Sequence, residues 1–534
     1  MRSLALVALV CVAAANTGCQ GTTDESGYRV EPLLAKGSPF HGVHGLRFDD
    51  QGHLYATSVI GQSIFRVDTA TGEVTRFIPP PEGMADDLAF AADGTLVWTA
   101  IEDGVIYAKA PNGPIRKLVE NRKGVNAISF SPDRKRLFFS LVFYGDALYE
   151  LYLDGSRPPR LIVDNIGGLN AFEVGADGMI YGPLMFGGRV VRIDPDTAEV
   201  TTISDDFQGP GALKLDSKGN AYVLDGATLK RLDLANGSIT GTFGLPADAD
   251  NLAIDGDGHV FVSLAAPNAI AEVDLDSGSL RYVVAPSPLN SPTGLAVAAG
   301  GDTDTVYVGD LFGGVKRING TTGEILPTPS IELFQPAHVA VAGEDLIAVS
   351  QVFGTVQRLN RETLEVLATW EGFSSPGDAV ETANGDIVVA DTGNGRVVRI
   401  TGPEPADRTV LATGLMAPTG LALAANGGLY VAETGRGRVL RLGADATRRP
   451  TVFAEGLSQP EGLAARPNDD IVVMEVGAKQ LTVLGGTGAT VIAKDLPVGL
   501  SNGPSLYRGV AASGNAIYFS SDIDNTVYKV VTPP

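Results

Sequence analysis

Apolar positions in this chain fall in short runs separated by turn residues, and the same arrangement recurs along its length. The segment from His44 reads HGLRFDDQGHLYATSVIGQSIFRVDTATGEVTRF. That from Asn170 reads NAFEVGADGMIYGPLMFGGRVVRIDPDTAEVTTI, and that from Thr419 reads TGLALAANGGLYVAETGRGRVLRLGADATRRPTVF. Each predicts an apolar strand, a D/N-x-G-type turn, a second strand, a Gly-containing loop, a strand ending in Arg and an aliphatic residue, and a fourth strand. Aligning the residue that leads the first strand gives positions 44, 86, 126, 170, 211, 250, 293, 337, 377, 419, 461 and 508, spaced 39 to 47 apart. A four-stranded antiparallel unit of that length is a propeller blade, which cannot bury both faces alone and so stacks around an axis. Twelve blades exceed the usual four to eight per ring. The expected fold is therefore all-β, with two six-bladed β-propellers in tandem; a seven-plus-five split is the alternative.

The chain ends bear on how the rings close. A strand-like piece, YRVEPLLA from Tyr28 to Ala35, precedes the first unit, and the chain finishes on VYKVV from Val527 to Val531, a third strand without a fourth. If each ring starts on an outer strand, Tyr28–Ala35 completes the sixth blade of ring one and LRYVVA (Leu280 to Ala285) completes the last blade of ring two. Ring one then spans residues 28–277 and ring two 278–534.

Residues 1–18 predict an export signal: Arg2 precedes an apolar run from Leu4 to Ala15 that is too short to span a bilayer. Ala13-Ala14-Ala15 suits ordinary cleavage and release. Thr17-Gly18-Cys19 resembles a bacterial lipoprotein box, from which Asn16 departs, and would make Cys19 a lipidated first residue. Residues 19–27 would then be a tether. The expected location is periplasmic or at the cell surface, with the membrane engaged only through a lipid at Cys19. Cys11 and Cys19 are the only cysteines, so the mature body has no disulfide, Cys-based zinc site or thiol nucleophile. With 62 acidic against 40 basic residues, the chain lacks the basic surface that nucleic acid requires.

The second half carries DTGNGRVVRI (Asp391 to Ile400) and ETGRGRVLRL (Glu433 to Leu442), which resemble NHL-repeat blades. The first half, with its G-x-LY and R-[VI]-[DI] strands, resembles the SMP-30/gluconolactonase family. Both families are six-bladed propellers. The SMP-30 resemblance implies a calcium-dependent hydrolase of lactones or esters, with the metal held on the propeller axis by Glu, Asn, Asn and Asp. The NHL resemblance implies a non-catalytic double-propeller scaffold of the cell envelope that binds a protein or glycan partner. A propeller lyase is a further alternative.

In a propeller, the residue opening each inner strand points into the central channel. Ring one supplies His44, Asp86, Asn126, Asn170, Gly211 and Asp250 there. Asp86, Asn126, Asn170 and Asp250 are the candidate metal ligands, since Ca²⁺ takes hard oxygen donors. The alternative is a channel of strand-capping side chains and water. The family's first Glu is His44 here and its fifth-blade Asp is Gly211, with Asp250 one blade later; Asp86 is the candidate replacement for the Glu. His44 and Asp86 are the candidate catalytic groups, His44 as a general base. Phe143, Tyr144, Met185 and Phe186, in loops expected on the same face, are the candidate substrate wall; packing between blades is the other reading. Ring two offers Thr293, Ala337, Gly377, Thr419, Glu461 and Arg508, of which the last two are expected to pair. Its loop residues Asp310, Asp391, Glu433, Glu475 and Asp522 form an acidic collar, read as surface charge or as a contact for a basic partner. Phosphate-loop, dinucleotide, H-E-x-x-H and G-x-S-x-G motifs are absent.

Overall fold

The computed structural model describes residues 28–300, 303–329, 335–443, 449–486, 488–500, 507–514 and 516–531 of the 534. The signal segment and tether expected over residues 1–27 lie outside them. The described chain forms twelve four-stranded antiparallel sheets. Its only helical turns are 3-10 segments at Met185–Gly187, Thr392–Asn394, Pro405–Asp407 and Thr434–Arg436. Among the described residues no helix is long and apolar enough to cross a membrane.

Each blade buries both faces against its neighbours, and the apolar contacts show how the blades are grouped. Blades 1–6 begin at inner strands Val43–Phe48, Leu88–Phe90, Val125–Phe130, Glu173–Val174, Pro210–Leu215 and Ala249–Ile254. A cluster containing Leu46, Phe65, Phe261, Ile270 and Val283 joins blade 6 back to blade 1. Blades 7–12 begin at Pro292–Ala298, His338–Ala342, Asp378–Glu381, Pro418–Leu423, Pro460–Ala465 and Val510–Ala512. Here Val306 and Val308 of blade 7 pack on Tyr518 and Val527 of blade 12. The rings therefore close six and six. Burying a large side chain between blades contributes roughly 1.5–3 kcal/mol, and every adjacent pair of blades has such a cluster. That replaces the core a single sheet lacks.

Closure departs from the expected strand exchange. Leu280–Val284 pairs with Ala269–Val273, so it is the fourth strand of blade 6. Arg29–Pro32 pairs with Thr526–Val531, with Arg29 opposite Val531 and Pro32 opposite Tyr528, and completes blade 12. The N-terminal strand thus belongs to ring two, and ring one is inserted between it and the remainder of that ring. Ring one spans 43–284, and the other ring 292–531 with 29–32 added. YRVEPLLA and LRYVVA carry equivalent outer-strand patterns, so composition could not assign them. Pairing is settled by which sheet lacks a fourth strand.

Two chain crossings, 33–42 and 285–291, run between the rings and meet in a polar joint. The Gly37 N–H donates to Asp524 O (2.8 Å), the Ser38 N–H to Ser287 Oγ (2.8 Å), and the Gly42 N–H to Asn268 Oδ1 (2.8 Å). Asn268 donates in turn to Asn290 Oδ1 (2.6 Å), and Asn525 donates to the carbonyl oxygens of Ser38 (2.9 Å) and Phe40. His41, fully buried, bridges Ser291 and Asp522. Leu311, Leu500, Ile60, Phe312 and Ile523 add an apolar patch beside it.

Candidate functional site

The leading residue of an inner strand faces the axis because the ladder breaks there. Register shifts fall between Val43 and Leu46, Val125 and Ile128, Pro210 and Ala212, and Ala249 and Leu252. Such a bulge releases one residue from the ladder and re-aims its side chain. The freed amide of the next residue is taken by a hydroxyl at the fourth position of the second strand. Gly45 N–H donates to Thr57 Oγ1 (2.7 Å), Asp87 to Thr99 (3.1 Å), Ala127 to Ser140 (3.3 Å) and Asn251 to Ser263 (2.9 Å). Thr57 also donates to Asp86 O (3.0 Å), and Thr99 to Asn126 O, so these two hydroxyls tie blade 1 to blade 2 and blade 2 to blade 3. The recurring hydroxyl is visible in the sequence as ATS, WTA, FSL and VSL; only the bulge gives it meaning.

Three of the candidate side chains converge. His44 Nδ1 lies 3.7 Å from Asp86 Oδ1 and 3.5 Å from Asp250 Oδ2. Burial disfavours the imidazolium, but the Asp250 and Asp86 carboxylates outweigh it and raise the His44 pKa to about 9. Burial also raises Asp86, against the pull of His44 and with repulsion from Asp250, to about 7. His44, expected as a general base, thus stands between two carboxylates that favour its charged form, while burial favours the protonated form of Asp86. The sequence could not show this, because it depends on blades 1, 2 and 6 meeting at one point.

Asn126 and Asn170 are buried in the neighbouring blades. Asn126 Oδ1 has no hydrogen-bond partner among the described residues. An orphaned buried amide oxygen is a hard-oxygen donor of the kind a divalent cation takes, so its donor chemistry fits calcium. Between the Asp86 and Asp250 carboxylates stands the positive charge of His44. Asp87, which sequence reasoning passed over, is buried; it accepts from Leu88 N (2.9 Å) and Ile128 N (3.2 Å), with Asn251 Nδ2 at 3.5 Å. It pins blades 2, 3 and 6 beneath the axial group.

The candidate wall residues lie on the upper loops of blades 3 and 4. The Phe143 and Phe186 rings meet edge to face at 5.8 Å and remain 58% and 63% exposed. Phe143 holds φ +67°, a strained value for a bulky residue. Tyr144 Oη donates to Glu102 of blade 2 (3.2 Å), and Met185 opens the 3-10 turn that carries Phe186. Among the described residues, Asp255, Asp257 and His259 also bring three ligand atoms within 4.8 Å of one another. They sit at the opposite end of blade 6, where Asp255 caps the turn by accepting from the amides of Asp257 and His259.

Ring two is built differently. Glu461 and Arg508 pair as expected (3.3 Å), and Asp522 joins them at 2.7 Å. The collar residues Asp310, Asp391, Glu433, Glu475 and Asp522 are buried, which corrects their reading as surface charge. Each accepts backbone N–H groups from the segment entering its own blade: Ser291 onto Asp310, Ser374 onto Asp391, Met416 onto Glu433, Ser458 onto Glu475 and Leu500 onto Asp522. Their charge is spent on loop anchoring.

The fold is a tandem pair of six-bladed propellers, each with polar side chains on its axis. No known family model matches the sequence, and no curated protein does. Among solved structures the chain is similar to a GH74 xyloglucanase from Xanthomonas campestris, at TM-score 0.51 and 13% identity over 95% of this chain and 100% of that one. It is also similar to a gluconolactonase from Xanthomonas campestris (TM-score 0.38, 16% identity, 45% of this chain and 87% of that one). A third is the calcium-binding protein regucalcin from Agrobacterium tumefaciens (0.37, 17%, 42% and 83%). At these identities the likeness is one of fold.

Proposed function

We propose that ring one is a hydrolase for a small lactone or ester, working at its upper mouth in an exported protein tethered through Cys19. The observation carrying this reading is the His44–Asp86–Asp250 group, in which an acid and a base are held apart in pKa on one axis. Asp86 takes the proton of a water as that water attacks the carbonyl carbon. His44 gives its proton to the departing alkoxide oxygen, and exchange with solvent resets both groups. Asp250 keeps His44 charged until transfer. Calcium held by Asp86, Asn126, Asn170 and Asp250 would supply Lewis-acid polarisation of the carbonyl. Phe143, Tyr144, Met185 and Phe186 would contact the apolar part of the substrate.

The test is turnover on a panel of lactones and aryl esters, with thermal melts taken with and without calcium. Activity lost in His44→Gln and Asp86→Asn, and a calcium-induced melting shift lost in Asn126→Ala and Asn170→Ala, support the reading. Melting that ignores calcium in all three proteins removes the metal from it, and a panel without turnover removes the hydrolase. A binding role for a protein or glycan rests on one observation, the exposure of Phe143, Tyr144 and Phe186 beside the mouth; aromatic faces of this kind favour recognition. A lyase would use the same acid and base on a carbon acid, giving an unsaturated product without consuming water.

A further inference from the structure

The channel of ring one has a second polar layer at its other mouth. The bulge flips the alternation, so the residue three beyond each leading position again faces the axis. These residues are Arg47, Ala89, Ser129, Glu173, Lys214 and Ala253. The same positions in ring two are Ala296, Ala340, Val380, Ala422, Ala464 and Ala511. Small apolar residues therefore suffice to build such a ring, and the charges of ring one need another reason.

Arg47, Ala89, Glu173, Lys214 and Ala253 line a cavity of about 460 Å³ at the lower mouth, within the size range of small-molecule sites. Arg47 donates to Glu173 Oε2 (2.9 Å), Leu88 O (3.4 Å) and Ser129 Oγ (3.3 Å), and Ser129 donates to Glu173 Oε1 (3.3 Å). Glu173 is thus already satisfied. Lys214 is buried, stands 3.6 Å from Glu173 and makes no hydrogen bond among the described residues. Burial, with the Arg47 charge beside it, lowers its pKa. A buried ammonium without a hydrogen bond of its own costs free energy; Lys214 shares its one nearby carboxylate, Glu173, with Arg47, and the layer has more donors than acceptors. Phe48, Phe90 and Phe130, from three successive blades, add apolar lining to the same cavity.

We propose that this lower cavity binds a small aromatic carboxylate, its carboxylate accepting from Lys214 and Arg47 and its ring lying against Phe48, Phe90 and Phe130. Ala89 and Ala253 leave the space that the ligand fills. This site is separate from the upper mouth and does not depend on catalysis there.

Isothermal titration of the mature chain with benzoate, and with benzamide as its neutral counterpart, tests the proposal. Benzoate is expected to bind one to one and at least about tenfold more tightly than benzamide, since charge-assisted hydrogen bonds are the stronger ones. Lys214→Met keeps the side-chain length and leaves Glu173 paired to Arg47, so it should weaken benzoate at least about tenfold while melting no lower than the parent. Ala253→Phe fills the cavity without touching a charge and should abolish binding; His44→Gln should leave it unchanged. Equal affinity for the two probes, no benzoate binding, parental affinity in Lys214→Met or Ala253→Phe, or loss in His44→Gln would each overturn it.

Discussion

His41 Nε2 lies 2.6 Å from the carbonyl oxygen of Asp522, linking the two rings through a fully buried imidazole. The carbonyl can only accept, so Nε2 carries the proton, and Nδ1 accepts from the Ser291 hydroxyl at 3.0 Å. Burial lowers the His41 pKa to about 4, against the pull of Asp522 and with help from Arg508. The unfolded chain therefore binds this proton near pH 6.5 while the folded chain refuses it. Stability from this site is complete above pH 6.5 and falls as pH drops towards 4, by about 3 kcal/mol in all. Urea denaturation of the parent and of His41→Gln across that range checks this. The variant should show a flatter acid limb, and parallel curves would discard the assignment.

The axial acid and base predict a pH profile for any turnover found. Activity should rise as Asp86 loses its proton near pH 7 and fall as His44 loses its own near pH 9, with a maximum at about 8 between them. Asp86→Asn should remove the lower limb and His44→Gln the upper, each lowering kcat by about 10²–10⁴-fold. Initial rates from pH 5.5 to 10 are the measurement.

The collar predicts a large stability effect far from any chemistry. Glu433 accepts from Met416 N (2.9 Å), Arg436 (2.6 Å) and Arg438 (2.5 Å) while fully buried. Glu433→Ala leaves an amide and two guanidinium groups without their acceptor and should cost about 3–5 kcal/mol. Denaturant titration followed by circular dichroism reads it. A loss under 1 kcal/mol, the scale of an exposed pair, would mean that the collar is surface charge after all.

The N-terminal strand can be tested by cross-linking. Val30 stands opposite Val530, and no other cysteine lies beyond Cys19. A Val30→Cys/Val530→Cys pair should form a disulfide on oxidation and raise the melting temperature of ring two. A complementary variant is Gly323→Ala: Gly323 has φ +73°, and a Cβ there would stand 1.8 Å from Leu33 O. It should destabilise the entry of this strand by more than the 1 kcal/mol typical of a glycine replacement. Failure to cross-link the pair would contradict the closure.

What the sequence revealed and what it withheld follow one physical division. The recurrence of His44, Asp86 and Asp250 at equal phase was readable because every blade repeats the same order of strands and turns, and a repeat transmits position. Charge state was not readable: the charged form of His44 is favoured because two carboxylates from other blades stand within 4 Å of it, a distance that phase alone does not encode. The collar shows the same limit, since Glu433 and Asp391 look like loop charges until the entering amides are seen to close over them. Lys214 was passed over because a lysine on an amphipathic strand ordinarily faces solvent, and only the flipped alternation turns it inward.

Because Arg29–Pro32 caps the last blade, the order of assembly on the ribosome is constrained. The first strand to emerge has no partner until the final one has been translated, while all of ring one can close in the interval. A stalled or clipped product should therefore carry one finished propeller and one with an unsheathed edge. The bared strand, Thr526–Val531 in a clipped product and Arg29–Pro32 in a stalled one, would mark such molecules for aggregation or for degradation in the cell.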